Sequence, residues 1–251
     1  MIGTIENIQS FTQKTLQTYK SALYTKDNLI IVIAGKITDP EKIKKLIADY
    51  FSDLPTTKQL EKPAFPFFLP EEQSSFFEKK TEQNHLIISA RGFNGNQPQR
   101  HAAKILTTIL GGNMSSRLFQ NIREKQGLCY YIRASHYTEP EYGDFLIRAG
   151  IDKDRFDFGV EKIFEEIQHI AKGEISEEEF EKAVGFLNGQ MQMGIESSDD
   201  MANFLGSQYL EYGSIETLED ILAKINAVSL EEVMEICPLL QREKLYHYYV
   251  K

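Results

Sequence analysis

Two side chains that can donate hydrogen bonds to a peptide lie close together in the segment Gly111–Tyr131. Arg123 belongs to a predicted helix, Ser115–Lys125, and Tyr130 follows the break at Gly127 in a predicted strand. Because the glycine turn can bring the strand back to the C-terminal end of this helix, the guanidinium and the phenol can converge on one carbonyl oxygen. Both groups donate hydrogen bonds, so both favour an oxygen that gains negative charge.

The helix that carries Arg123 has two stripes with different expected roles. Leu118 and Ile122 are spaced as a buried pair, and Phe119 and Arg123 form a second pair that projects to one side. An alternative interpretation gives the polar residues no shared role. In it Arg123 lies in solvent beside a neighbouring carboxylate, and Tyr130 is a half-buried strand tyrosine. Spacing alone favours this alternative.

The histidines show no spacing typical of metal ligands. The sequence contains His85, His101, His136, His169 and His247. None of them begins an H-x-x-E-H or H-E-x-x-H motif, which would place two imidazoles on one helix face beside a carboxylate. His136 has Glu139 and Glu141 nearby, but we expect it in a solvent-exposed, proline-containing turn, and we expect His85 to be structural or exposed. The residues therefore predict no metal site in this chain.

Composition and charge exclude several classes of protein. The chain has 251 residues and a formal net charge of −9, which argues against binding a nucleic-acid backbone. Its longest apolar run, Leu29–Ala34, is far shorter than the ~20 residues of a membrane span. The N-terminus lacks a secretion-signal pattern, and Cys129 and Cys237 form no disulfide framework. These features favour a cytoplasmic protein, and a secreted protein whose signal has been removed is the alternative.

The order of predicted elements favours an α+β fold, with layers of helices on a mostly antiparallel sheet. Thr12 is expected to cap a helix that ends near Tyr24, and Thr38 a helix that ends near Phe51. Further strands are predicted at 76–91, 128–137, 143–151 and 245–250. Further helices are predicted from Pro98 to Gly111, over 156–167, from Ser176 to Met191, at 199–212 and 216–226, and after Ser229.

The first part of the chain offers one confident strand, Leu29–Ala34, between helices. A lone strand has unpaired backbone groups on both edges, so it must join the second unit's sheet or pair with strands outside these residues. The chain also begins with almost no lead-in before its first helix. We therefore expect 1–55 to be the back half of a domain or its remnant, 56–72 a linker, and 73–251 a complete second domain.

The run SSRLFQNIREKQGLCYYI resembles the insulinase-like metallopeptidases, the pitrilysin and mitochondrial processing peptidase group. The segments TKDNL followed by VIAGKI, DYFSDLP, EEEFEKAVGFLNGQM and INAVSLEEV resemble the same family in the same order, so the resemblance covers nearly the whole chain. It implies two similar α+β domains that form half of a clam-shell chamber. It also implies that Phe119, Arg123 and Tyr130 line the chamber wall that faces the metal.

The zinc motif of that family is absent here, and in family order it would precede Ile2. The resemblance therefore implies the non-catalytic C-terminal part of a zinc endopeptidase, inactive by itself. In this hypothesis Arg123 and Tyr130 take part in catalysis and, with Phe119, bind the peptide or protein substrate. Zinc would be held by a missing segment or by a partner subunit of the same family, in a homodimer or heterodimer.

Two other functions stay open at this point. The same family includes subunits that keep the shape and lose proteolysis, so a scaffold or assembly subunit is the main alternative. The presence of Phe119, Arg123 and Tyr130 favours the peptidase part over a scaffold. A self-sufficient zinc peptidase is disfavoured by the missing motif.

Overall fold

The computed structural model describes residues 3–56 and 71–250, so most of the predicted linker over 56–72 lies outside the described residues. The chain forms two compact units. The described part of the first contains 3–56 and Glu196–Leu210, and that of the second contains 71–195 and 211–250.

The second unit is built on a five-stranded sheet with the order β1-β5-β2-β4-β3. The strands are β1 Ser74–Phe77, β2 Asn84–Arg91, β3 Cys129–Thr138, β4 Gly143–Ile151 and β5 Tyr246–Val250. β1 and β5 are parallel, and the other neighbours are antiparallel. This confirms the predicted α+β class with a mostly antiparallel sheet.

The predicted single strand over 76–91 is wrong, because β1 and β2 are separate strands. β5 lies between them in the sheet. One continuous strand cannot pair with both edges of β5, so the chain must leave the sheet and return. It does so in the polar segment that follows Phe77, where the Thr81 hydroxyl donates to the Gln83 carbonyl at 2.7 Å.

Helices cover one face of the sheet and bury alternate strand residues. In the described ranges the second unit contains α4 Arg100–Thr107, α5 Phe156–Ala171, α6 Glu177–Met193, α8 Leu218–Asn226 and α9 Leu230–Ile236. The first unit contains α1 Ile5–Ser10, α2 Gln13–Leu23, α3 Pro40–Tyr50 and most of α7 Ser198–Tyr212. Leu86 and Phe145 lie on the covered face and are fully buried, as are Ile105 of α4 and Ile163 of α5. The buried residues at every second strand position and those on one face of each helix therefore pack together in one core. No helix in the described ranges has the length and apolar composition needed to cross a membrane.

Most predicted helix starts are confirmed by their caps. The capping boxes at Ser176 and Ser229 are present, and Thr12 caps α2. The cap predicted at Thr38 is wrong, because Asp39 accepts a hydrogen bond from the Lys42 amide instead. Pro40 occupies the first helical position of α3, which makes the residue before it the cap.

The first unit contains almost no buried side chains. Among residues 3–56, only Thr25 is buried. The prediction of a strand at Leu29–Ala34 is wrong, because residues 3–56 contain no strand. Leu29 nevertheless has an extended backbone, with φ of −125° and ψ of 129°. A strand needs backbone partners, and the described sheet does not include this segment. The side chains of Leu29–Ile33 remain substantially exposed, from 36% at Val32 to 46% at Ile33.

Candidate functional site

The segment that carries Arg123 is anchored by fully apolar contacts. Leu118 is 0% exposed and Ile122 is 1% exposed, which confirms the predicted buried pair. The helix expected over Ser115–Lys125 is only partly α-helical, because Phe119–Glu124 forms a π-helical turn. The Lys125 amide accordingly donates to the Gln120 carbonyl at 3.0 Å. Such turns are rare and are often found at functional sites.

Phe119 and Arg123 are in direct contact on this turn. The guanidinium carbon of Arg123 lies 4.8 Å from the centroid of the Phe119 ring. A cation over an aromatic face at this distance is attracted by the ring quadrupole. The ring therefore limits the directions in which Arg123 can point while leaving the N–H edge of its guanidinium open.

The turn between Arg123 and the strand is tight and rigid. Gly127 has a φ of 58°, a left-handed conformation that a residue without a Cβ adopts at little cost. Its amide donates to the Arg123 carbonyl at 3.0 Å, and the Leu128 amide donates to the Ile122 carbonyl at 3.1 Å. Arg155 adds support from α5's N-cap position by donating to the Gly127 carbonyl. The strand therefore starts at a fixed place relative to the π-helical turn.

Tyr130 lies in a β-bulge at the start of β3. Cys129 pairs with Ile151 and Tyr131 pairs with Gly150, so Tyr130 is the extra residue between two paired positions. Its side chain is 62% exposed. Strict strand alternation would place Tyr130 on the same face as the buried Ile132, but the bulge breaks the alternation and leaves the phenol exposed to solvent.

The hydrogen-bonding groups of both predicted site residues are available. Neither the Arg123 nor the Tyr130 side chain has a hydrogen-bond partner among the residues that the structure describes, so the two are not bonded to each other. Arg123 nevertheless lies close enough to Cys129 for its charge to oppose the effect of burial, which raises the pKa of that thiol to about 11. The positive charge of Arg123 therefore acts on Cys129, the residue directly before Tyr130.

The sequence pattern predicts neither the bulge at Tyr130 nor the π-helical turn Phe119–Glu124. The letters CYYI are typical of a plain strand, and SSRLFQNIREK is typical of a plain α-helix. The glycine at 127 was the only local signal of a special geometry.

The histidines do not form a zinc site. Within the described ranges no three histidine, cysteine or acidic side chains are grouped so as to hold a metal ion. His101 receives a hydrogen bond from Arg100, and its pKa is lowered to about 4 by burial and by Arg100. His85 is bonded to the Tyr131 hydroxyl at 3.1 Å, and His169 to Glu174 at 2.6 Å. The imidazoles of these three histidines already make hydrogen bonds and are not grouped with other possible ligands. They therefore do not fit a zinc ion.

His136 differs from its expected place in an exposed turn. It lies in β3, half-buried, and its Nε2 accepts the Phe93 amide proton at 3.0 Å. Burial and the nearby Lys104 charge lower its pKa to about 4. The proline that follows, Pro140, lies beyond the end of the strand, so the prediction placed the turn too early.

Residues 10–187 match the family described as "Peptidase M16 inactive domain". The chain belongs to this family. A relative named as an uncharacterised zinc protease, YmxG of Bacillus subtilis, is 30% identical over 235 residues, which is 93% of this chain and 56% of the relative. The chain thus spans little more than half of that M16 relative.

Solved structures share the same fold. A protease from Helicobacter pylori has a TM-score of 0.83 at 19% identity, and covers 100% of this chain with 62% of its own length. An M16 inactive domain from Pseudomonas fluorescens has a TM-score of 0.83 at 20% identity, and the match covers 99% of this chain and 59% of that one. At these identities the likeness concerns the M16 fold alone.

Proposed function

We propose that this chain is the non-catalytic C-terminal part of an insulinase-like zinc endopeptidase, where it closes the chamber and contacts the backbone of a peptide substrate. The observation that carries the proposal is the presentation of Arg123 and Tyr130. Both occupy the positions that the family resemblance assigns to substrate contact, and both have unused donors held by a rigid turn.

The chemistry of these two groups suits a peptide carbonyl. The Arg123 guanidinium offers five N–H donors in a planar fork, and the Tyr130 phenol offers one O–H donor. An oxygen that gains negative charge during peptide hydrolysis is stabilised by such donors when they are held in place before the reaction. Phe119 restricts the directions in which the Arg123 side chain can point, because the guanidinium carbon lies 4.8 Å from the centroid of the Phe119 ring.

Zinc, its ligands and the general base belong, in this proposal, to residues outside this chain. Residues 1–55 are then the back half of the zinc-bearing domain, and 73–251 form a complete second domain. The exposed apolar segment Leu29–Ala34 supports the proposal, because it lacks a described strand partner and Leu29–Ile33 expose side chains that a sheet would bury. The missing half can lie in the same natural polypeptide or in a partner subunit.

The test is peptide cleavage by the chain combined with the portion of a relative that it does not match. Arg123→Ala should lower kcat by the effect of one lost oxyanion donor, roughly 2.7–4 kcal/mol at most, or about 10²–10³-fold. Tyr130→Phe should lower it to a smaller extent. Lys125→Gln is the matched control, because Lys125 is an exposed cation on the same segment, and its Nζ donates a hydrogen bond to the Asn121 side chain at 2.9 Å.

An Arg123→Ala enzyme with unchanged kcat/KM would refute the proposed role. The second candidate is a scaffold or assembly subunit, a role that needs no metal in either half. It predicts that the completed assembly binds its partner but cleaves no peptide. Zinc analysis together with cleavage, with and without the partner, separates the two functions. The cytoplasmic location stays a prediction.

A further inference from the structure

The sheet face opposite the helices carries a polar and aromatic surface that the site above does not use. Tyr131, Arg133 and Tyr137 project from β3, Arg148 from β4, Ile87 from β2 and Tyr248 from β5. We call these six residues the open patch. All six are exposed, from 37% at Ile87 to 47% at Tyr137 among the apolar and aromatic members.

Two arginines face each other at the centre of the open patch. Arg133 is the direct cross-strand partner of Arg148. Like charges at directly opposite positions destabilise a sheet, so this arrangement needs a compensating anion or carries a cost. Neither side chain makes an ion pair or a hydrogen bond in the part of the chain that the structure describes.

Two other arginines of the same unit are paired with carboxylates. Arg117 binds Glu179 through two hydrogen bonds of 2.6 and 2.8 Å. Arg100 is paired with Glu216 at 3.1 Å. Within the open patch, the guanidinium carbon of Arg148 lies 5.5 Å from the centroid of the Tyr137 ring, and its charge also acts on Tyr131. The two facing guanidiniums therefore keep their donor forks free for a ligand.

The surroundings indicate which anion fits. One row of the ladder runs from Arg133 through Arg148 and Ile87 to Tyr248. Neighbouring strands are ~4.8 Å apart, so the row extends over roughly 14 Å from its two cations to its apolar end. A peptide with a carboxylate side chain followed by apolar residues matches this order. A nucleic acid is disfavoured by the net charge of −9.

We propose that the open patch binds an extended peptide segment by its Asp or Glu side chains, which the facing pair Arg133 and Arg148 grips, while its apolar side chains lie on Ile87 and Tyr248. Carboxylates bind guanidiniums through two parallel hydrogen bonds, and these bonds are about twice as strong as neutral ones. The inference rests on the proposed function in taking a peptide as ligand, and it would give the peptidase a preference for acidic substrates.

The experiment is fluorescence anisotropy of a labelled peptide in which two glutamates, a leucine and a tyrosine occupy every second position, with serine between them, so that all four side chains project to one side of the extended peptide. Its counterpart has glutamine at each glutamate position. The full chain is titrated at ~0.15 M ionic strength, where long-range attraction is screened beyond about 8 Å. We expect the acidic peptide to bind at least about tenfold more tightly than its counterpart. The double variant Arg133→Gln with Arg148→Gln should abolish that preference.

A charge-matched control distinguishes binding at the open patch from a general effect of the protein's net charge. Lys172→Gln with Lys182→Gln removes two exposed cations from α5's end and α6, and should leave the preference intact. Arg133→Lys with Arg148→Lys keeps both charges and should lose part of the preference, because lysine cannot form the bidentate fork.

Three results would overturn the inference. They are equal binding of the two peptides, an equal loss in the Lys172/Lys182 control, and self-association through this face without peptide binding, detected by sedimentation. The assay involves no cleavage, so a failure of the Arg123 prediction leaves its outcome unaffected, and failure of peptide binding here leaves the Arg123 test standing.

Discussion

Ile31→Ala tests whether the apolar segment Leu29–Ala34 is covered when the protein is complete. Ile31 is 39% exposed in this chain. Full burial of an isoleucine contributes roughly 1.5–3 kcal/mol, so covering the exposed part would add roughly 0.6–1.2 kcal/mol. The neighbouring apolar side chains from Leu29 to Ile33 have similar exposure, and together they would contribute about 3–6 kcal/mol.

The expected cost of the substitution therefore depends on context. In the chain alone, Ile31→Ala removes contacts of a partly buried side chain and should lower the free energy of unfolding by about 1–2 kcal/mol. In the proposed assembly with the zinc-bearing half, the same change would leave a cavity in a covered sheet and should cost roughly 2–5 kcal/mol. Urea denaturation of the unit that carries the residue measures both values.

Ile147→Ala is the matched control for this experiment. Ile147 is 1% exposed in the centre of β4, so its truncation should cost roughly 2–5 kcal/mol in either context. Hydrogen exchange gives a second readout: amides 29–34 should exchange quickly in the chain alone and become protected on completion. Equal costs of Ile31→Ala in both contexts, with no gain in protection, would refute the idea that a strand partner is missing.

Three further predictions concern stability. Arg133→Gln removes a like-charge pair and should raise the free energy of unfolding by about 0.2–1 kcal/mol in urea titrations, and a decrease would contradict the repulsion. The pKa of His136 is lowered to about 4 from 6.5, so the unfolded state binds more protons and stability should fall from pH 6.5 to 4. His136→Gln should remove part of that slope, with His101 supplying the rest. The hydrogen bond from Arg117 lowers the pKa of Glu179 to about 2 from 4.5, so the stability from this pair is full above pH 4.5 and is lost as pH falls towards 2. Glu179→Gln should cost roughly 1.5–3 kcal/mol at pH 7 and flatten the acid branch of the same titration.

The proposed site and the open patch depend on different features of the sheet. The site needs one bulge and one glycine turn to present Tyr130 and Arg123. The open patch needs an unbroken ladder, because only regular pairing sets Arg133 against Arg148. Tyr130 of the site and Arg133 of the open patch both lie on β3, where the bulge comes first and the regular ladder follows.

Local patterns determined much of this fold. The strands at β3 and β4, the capping boxes at Ser176 and Ser229, and the buried pair Leu118 and Ile122 were all predictable. These features depend on side-chain period and on contacts within a few residues, which the sequence contains directly. The family resemblance, likewise carried by local segments, was confirmed by the match over residues 10–187.

Long-range pairing decided the rest. The split of 76–91 into two strands follows from β5 entering between them, and β5 comes from the far end of the chain. The bulge at Tyr130 depends on how β3 registers with β4, and so does the meeting of Arg133 with Arg148. Leu29–Ala34 has a strand's composition but forms no strand within 3–56. A strand exists only where a neighbour supplies its hydrogen bonds, and a neighbour is a property of the folded protein and not of the segment.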